Sequence, residues 1–338
     1  MHIKLRVVAL TVTSSFFVAA CGGGGSGSNT TPPATGPTNA QRAAAATATA
    51  NNNARCSSGV LGSYYWEIGD KSGALVSGTV GGGRVTGDTV MNLASGSKWP
   101  FAAYAIQKYG DLSANVPFLN FTSGYSNFDN SLCSATQTVA QCNNGAINAA
   151  EAAAKTFHYQ GGHMQQFAVN RGLGTLTIDA LAAEVNGYIG NDVGIAYVQA
   201  QPAGGARASS RSYAVFLRKL LADSSNPLQL GALLGSHAVC TQPSATCNAS
   251  PDTAAALPEN FHYSLGHWVE DDPTYTPSSN FAFSSAGSFG FYPWVDSDRK
   301  LYGIVAREDH TATSGGAGYA SLLCGRLIRL AWKTGTPQ

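Results

Sequence analysis

Strand-like segments stand at both ends of this chain, and helix-like segments fill the stretch between them. Residues 64–68 and 73–80 flank Gly69-Asp70-Lys71-Ser72 and read as a β-hairpin. Residues 146–156 are alanine-rich, and 178–185 and 213–221 carry apolar side chains at helical spacing. Strand patterning returns at 261–269 and in a second hairpin from 289–295 and 301–306. A last helix is expected from about Gly318 to Trp332. This order predicts an α+β fold: an antiparallel sheet built from both chain ends, flanked by helices, with an all-helical region inserted.

The first residues speak to the compartment. Lys4 and Arg6 precede an apolar run at 7–20 that is short for a membrane span. The run ends in Val18-Ala19-Ala20-Cys21, which resembles a bacterial lipobox. On that resemblance 1–20 is a signal peptide and Cys21 is the lipidated first residue of the mature chain. An ordinary signal peptide is the alternative. Residues 21–54 are rich in Gly, Ser, Thr, Pro, Ala and Asn and are expected to form a flexible tether. Residues 55–338 form the expected domain. The reading is of an exported lipoprotein, periplasmic or at the cell surface, on the outer membrane rather than the inner.

Of seven cysteines, Cys21 aside, six remain, which in an exported chain suggests disulfides. Fifteen pairings are possible. Spacing favours Cys133–Cys142 and Cys240–Cys247 as local staples and Cys56–Cys324 as a tie between the domain's start and its last helix. No C-x-x-C spacing supports a metal site instead. The net charge is +1 and 12% of residues are charged, so basic clusters suited to nucleic acid are lacking.

Ser95-Gly96-Ser97-Lys98 carries the chemistry. At a helix start, residues three apart share a face, so Ser95 and Lys98 point into one pocket. A serine hydroxyl needs a neighbouring base, and a lysine becomes one when burial lowers its pKa. The bland alternative is a helix-capping serine beside a solvated lysine.

From this tetrad onward, over most of residues 55–335, the chain resembles the serine β-lactamase-like and penicillin-binding superfamily, nearest to its class C and esterase branch. Leu119-Asn120-Phe121-Thr122-Ser123-Gly124 is similar to the family's L-x-H-T-S-G turn, with Phe121 in the histidine's place. Tyr159-Gln160-Gly161 resembles its Y-x-N, with Gly161 in place of asparagine. Pro202-Ala203-Gly204-Gly205 resembles the glycine pair after the active-site wall. Tyr263-Ser264-Leu265-Gly266-His267-Trp268 resembles Y-G-L-G-W, and Ser285-Ala286-Gly287-Ser288 stands where the family has K-T-G or H-x-G.

The resemblance implies roles. Ser95 is the nucleophile. Lys98 is its base, or the partner that keeps a second base ionised. Tyr159 is that second base, with a phenolic pKa that a nearby ammonium lowers. The N–H groups of Ser95 and Ser288 form the oxyanion hole, and Gly161, Ser285, Ala286 and Gly287 contact substrate. Losing the asparagine at 161 and the cation at 285 argues for a neutral ester, or an amide, over an anionic β-lactam or peptidoglycan substrate.

Two literal matches are set aside. Tyr125-Ser126-Asn127 lies inside the T-S-G turn, and Lys333-Thr334-Gly335 ends the chain. The histidines at 158, 163, 262 and 267 read as structural or cleft-lining rather than as metal ligands. Rival readings are a Ser-His-Asp hydrolase using His310 beside Asp309, a β-lactamase or penicillin-binding D,D-peptidase, and a degenerate binding lipoprotein. The preferred reading is a monomeric serine hydrolase acting on a carboxylic ester, possible substrates including an amide or a polyester oligomer. It needs no metal or organic cofactor.

Overall fold

Asp70 turns the first hairpin. Its Oδ1 accepts the Ser72 N–H at 2.8 Å between β1 (Tyr64–Asp70) and β2 (Gly73–Val80). The computed structural model describes residues 36–110, 113–150, 156–250, 257–311 and 316–338. The expected signal peptide, Cys21 and the first part of the expected tether lie outside the described residues.

The further strands are β3 (Val90–Asn92), β4 (Ala196–Tyr197), β5 (Ala206–Ser209), β6 (Val239–Cys240), β7 (His262–Ser264), β8 (His267–Val269), β9 (Ala282–Ser284), β10 (Tyr292–Asp296) and β11 (Tyr302–Ala306). The main sheet runs β2-β1-β11-β10-β9-β8-β7-β6. Trp66 of β1 lies opposite Val305 of β11, so the two chain ends meet inside the sheet, antiparallel as expected. A small sheet, β3-β5-β4, was not legible beforehand. Its strands are two to four residues long, too short to show a period.

The helices are α1 (Asn39–Asn52), α2 (Ser58–Leu61), α3 (Lys98–Tyr109), α4 (Val116–Leu119), α5 (Val139–Gly145), α6 (Gly162–Asn170), α7 (Ile178–Ile189), α8 (Ser210–Arg218), α9 (Gln229–Ala232) and α10 (Gly316–Thr334). Alternation of small apolar and polar residues along α1 buries Ala45, Ala46, Thr49 and Ala50 on one stripe, and the helix packs on α10. This corrects the expected tether. Flexibility to residue 54 does not hold, because Thr38 and Gln41 form a capping box and the alanine stripe has a partner. The folded body therefore starts at Pro37, not at residue 55.

Two further expectations change. Residues 146–150 are not helical, and 151–155 lie outside the described residues. Residues 261–269 are not one strand. Leu265 and Gly266 take positive φ, 41° and 82°, and fold the segment into the β7–β8 hairpin. The three disulfides pair as spacing favoured: Cys56–Cys324, Cys133–Cys142 and Cys240–Cys247, with Cα–Cα distances of 5.0, 4.8 and 5.8 Å. No helix among the described residues is long and apolar enough to cross a membrane.

A buried ion pair locks α10 to the sheet. Arg329 Nη2 donates to Glu270 Oε2 at 2.8 Å, and both side chains are fully buried. Tyr292 Oη donates to Glu270 Oε1 at 2.6 Å, and Arg329 Nε donates to Asn280 Oδ1 at 3.0 Å. Burial alone would raise the Glu270 carboxyl, but the Arg329 and Arg326 guanidiniums outweigh it and hold it below the ordinary value. Arg329→Met is expected to destabilise the fold by about 3–5 kcal/mol, because Glu270 stays buried without its partner. Adding Glu270→Gln should recover part of that loss in urea unfolding; equal midpoints for the single and double variants would rule out the coupling. The depressed carboxyl stabilises the fold above the unfolded value near pH ~4.3. That share is lost as pH falls towards the folded value.

Candidate active site

Ser95 occupies a 3₁₀ turn, Ala94–Ser97, leading directly into α3. The turn is held from several sides. Gly96 N donates to Leu93 O at 2.9 Å, Tyr213 Oη donates to Gly96 O at 2.8 Å, and Ala206 N donates to Ser97 Oγ at 3.0 Å. Ala94, just before Ser95, has φ +44°, a left-handed conformation that alanine adopts at a cost of about 1–3 kcal/mol. Such strain is concentrated at functional turns.

Lys98 is the first residue of α3 and is 6% exposed. Its Nζ donates to Ser95 Oγ at 2.8 Å and to Ala203 O at 2.9 Å. Desolvation lowers its pKa to about 7. Lys98 Nζ stands 4.9 Å from the Tyr159 ring centroid and 5.9 Å from that of Phe121.

Tyr159 is positioned by its neighbours in sequence. His158 N donates to Phe121 O at 3.0 Å, and Phe157 N donates to Asn248 O at 2.9 Å. Its ring packs against Trp268 at 4.8 Å and Tyr263 at 5.7 Å. Burial raises its pKa to about 12, against smaller lowering by hydrogen bonds to Ser95 and Trp268. The expected lowering by an ammonium is therefore corrected. Desolvation dominates, and a lysine titrating near neutrality supplies little fixed charge.

Phe121, at the family's histidine position, has φ +59° and stacks on His163 with centroids 5.2 Å apart. His163 reaches this turn from α6 instead. Its Nδ1 lies 2.7 Å from Ser123 Oγ and its Nε2 lies 3.1 Å from His158 O. Burial lowers its pKa to about 3, so it is a neutral structural imidazole that braces the Tyr159 segment against the T-S-G turn. His267, buried against Trp99, is likewise held low, at about 3, by burial.

These groups open onto one cleft of about 640 Å³, lined by Ser95, Lys98, Tyr159, Gly161, Ala286, Gly287 and Ser288 among others. Ser285 departs from expectation. It is buried, and its hydroxyl donates to the Ser95 carbonyl at 2.9 Å, so it braces the turn and does not line the cleft. Gly287 is required by close approach, since a Cβ there would lie 2.0 Å from Leu93 O. Tyr125 stacks on Phe118, and Lys333 donates to Ser279 O; neither lines the cleft.

His310 does line the cleft, but its Nε2 lies 2.6 Å from Glu308 Oε1. Asp309 is bonded to Thr311 and Arg307 instead, so the rival Ser-His-Asp reading finds no His310–Asp309 pair. Among the described residues, no three of His, Cys, Asp and Glu converge as a metal site. Sequence reading missed the Ala203 carbonyl that receives Lys98. The only signal for it was the Gly204-Gly205 pair beside it.

No family model and no curated protein sequence matches this chain. Solved structures match it over most of its length. A penicillin-binding protein homologue from Caulobacter crescentus aligns with a TM-score of 0.58 at 13% identity, over 88% of this chain and 98% of its own. A D-stereospecific amidohydrolase from Streptomyces sp. aligns with a TM-score of 0.56 at 15% identity, over 86% and 99%. EstCE1, a hydrolase with promiscuous acyltransferase activity, aligns with a TM-score of 0.58 at 11% identity, over 87% and 98%. The fold is that of the serine β-lactamase and penicillin-binding protein superfamily.

Proposed function

We propose that this protein is an exported, lipid-anchored serine hydrolase that cleaves a neutral carboxylic ester through an acyl-enzyme on Ser95. The observation that carries the reading is the 2.8 Å contact of a buried, near-neutral Lys98 with Ser95 Oγ. A lysine of pKa about 7 is substantially unprotonated at neutral pH and can take a proton.

Ser95 Oγ attacks the ester carbonyl carbon as its proton passes to Lys98 Nζ. The N–H groups of Ser95 and Ser288 receive the developing oxyanion. Collapse breaks the bond to the alkoxide, which takes the Tyr159 proton, and Lys98 returns a proton to Tyr159. Water then attacks the acyl-enzyme, giving its proton to Lys98; collapse breaks the acyl bond to Ser95 Oγ, which takes that proton back from Lys98 Nζ as the carboxylic acid leaves. A phenol kept neutral by burial suits this role as donor better than that of initial base. Export agrees with three disulfides, which persist in oxidising compartments. A neutral substrate agrees with a cleft in which residue 161 is glycine and Ser285 faces inward.

A fluorophosphonate probe is expected to label the peptide carrying Ser95, and the full chain is expected to turn over p-nitrophenyl butyrate. Labelling at another residue would remove Ser95. Rapid nitrocefin turnover without ester turnover would replace the reading with a β-lactamase.

A further inference from the structure

The turn at residues 199–205 forms part of the cleft wall and holds itself tightly. Gln201 N donates to Gln199 O at 2.7 Å, and Gly205 N donates to Gln201 O at 2.9 Å. Its Ala203 carbonyl is the second acceptor of Lys98. Gln201 lines the same cleft as Ser95 and is 4% exposed. Its Nε2 has no hydrogen-bond partner among the described residues. A buried N–H without an acceptor is costly, and a native fold that keeps one needs a reason.

The glycines beside it show that this amide is accommodated. A Cβ at Gly204 would lie 2.1 Å from Gln201 Oε1. Gly204 is not among the positive-φ residues, so it is the amide, not the backbone conformation, that a side chain there would meet. A Cβ at Gly161 would lie 3.3 Å from the Ala203 Cβ, so position 161 abuts this same turn. The cleft's other glutamines are committed: Gln199 Nε2 donates to Cys133 O at 2.9 Å, and Gln160 Oε1 accepts the Gly161 N–H at 2.5 Å. The Gln201 amide is therefore the uncommitted one of the three on this side of the cleft.

Resting on the acyl-enzyme reading above, we propose that Gln201 Nε2 donates to a second carbonyl oxygen on the acyl half of the substrate. The substrate class is then an ester whose acyl group bears a further ester or amide carbonyl beyond the scissile one. A primary amide suits a neutral acceptor. The cleft offers an anion little fixed charge, because Lys98 is near neutral and His310 is held by Glu308.

The test compares three p-nitrophenyl esters: butyrate, N-acetylglycinate and 3-acetoxybutyrate. The quantity read is the ratio of kcat/KM for each carbonyl-bearing ester to that for butyrate, which does not depend on the folded fraction. Gln201→Ala and the near-isosteric Gln201→Glu are both expected to lower these ratios about 10- to 100-fold. A fall confined to the N-acetylglycinate assigns an amide carbonyl, and one confined to the acetoxy ester assigns an oligoester. Ratios that stay within about threefold of the parent overturn the proposal while leaving Ser95 intact. Absence of both ester turnover and Ser95 labelling in the parent would instead remove the acyl-enzyme reading, and this inference with it.

Discussion

Replacing Lys98 with methionine is expected to lower kcat/KM on p-nitrophenyl butyrate by about 10³- to 10⁴-fold, close to the loss for Ser95→Ala. Methionine keeps the buried volume of the stem and removes the amine that meets Ser95 Oγ at 2.8 Å. The double variant should be little worse than either single one, because the two groups act as one unit. On the proposed mechanism, the working form in the parent is the free amine. Activity should therefore rise with pH through about 7 and then level off. The sign follows from burial: desolvation penalises the ammonium, so the base is present above that pH and lost below it. Additive losses, or activity that falls as pH rises through neutrality, would make the ammonium the working form and Lys98 an electrostatic partner. Circular dichroism would separate either result from unfolding.

Removing the Cys56–Cys324 bond is expected to cost about 5 kcal/mol, against about 2–3 kcal/mol for either local disulfide, in the chain-entropy account. The bond closes a sequence separation of 268, whereas the local bonds close 9 and 7. It also sits where the two halves of the fold join. Cys56 precedes β1, Cys324 lies in α10, and the Tyr64 hydroxyl lies 2.9 Å from both the Ala50 and the Cys56 carbonyl. Urea midpoints of Cys56→Ser/Cys324→Ser and Cys133→Ser/Cys142→Ser measure the difference. A larger loss for the local pair would mean that strain or native contacts, not loop closure, set the stabilisation.

The sequence made the architecture legible because its signals were long and local. The segments that became α7 and α8 carry apolar side chains at helical spacing, those that became β1, β2, β10 and β11 flank turn residues as two hairpins, and the six cysteines offered one economical pairing. Legibility failed where partners decide. Residues 39–52 look like linker by composition, and only α10 makes their alanine stripe a buried face. Residues 146–150 are also rich in alanine and are not helical. The β7–β8 hairpin hides because Leu265 takes a left-handed conformation that its residue type does not announce.

At the site, the structure brings Ser95, Lys98, Tyr159 and Ser288 together around one cleft. It separates Ser285 from them by a single rotation of role: the residue follows the motif's place in the chain, but its hydroxyl faces the Ser95 carbonyl. Motif spacing fixes where a residue falls along the backbone and says little about which way a short side chain turns. The pKa of Tyr159 was misjudged for a similar reason. The count of nearby charges was foreseeable, whereas the desolvation that outweighs them arises from Trp268 and Tyr263, distant in sequence.

The pairing of α1 with α10 also lays both ends of the folded body along α1, residue 37 before its first turn and Gln338 beside its last. Arg42 Nη1 donates to the carbonyls of Trp332 and Lys333, and Gln338 N donates to Thr49 Oγ1 at 2.9 Å. Pro37 abuts Gly335, where a Cβ would lie 2.4 Å from the proline ring. A peptide of about eight residues, long enough to run the ~20 Å back along α1 from residue 338 to residue 37, would thus turn the backbone into a ring without moving either helix. Reopened at the exposed glycine loop of residues 81–83, that ring becomes a circular permutant with the order of the cleft residues unchanged and its new ends on an accessible surface loop.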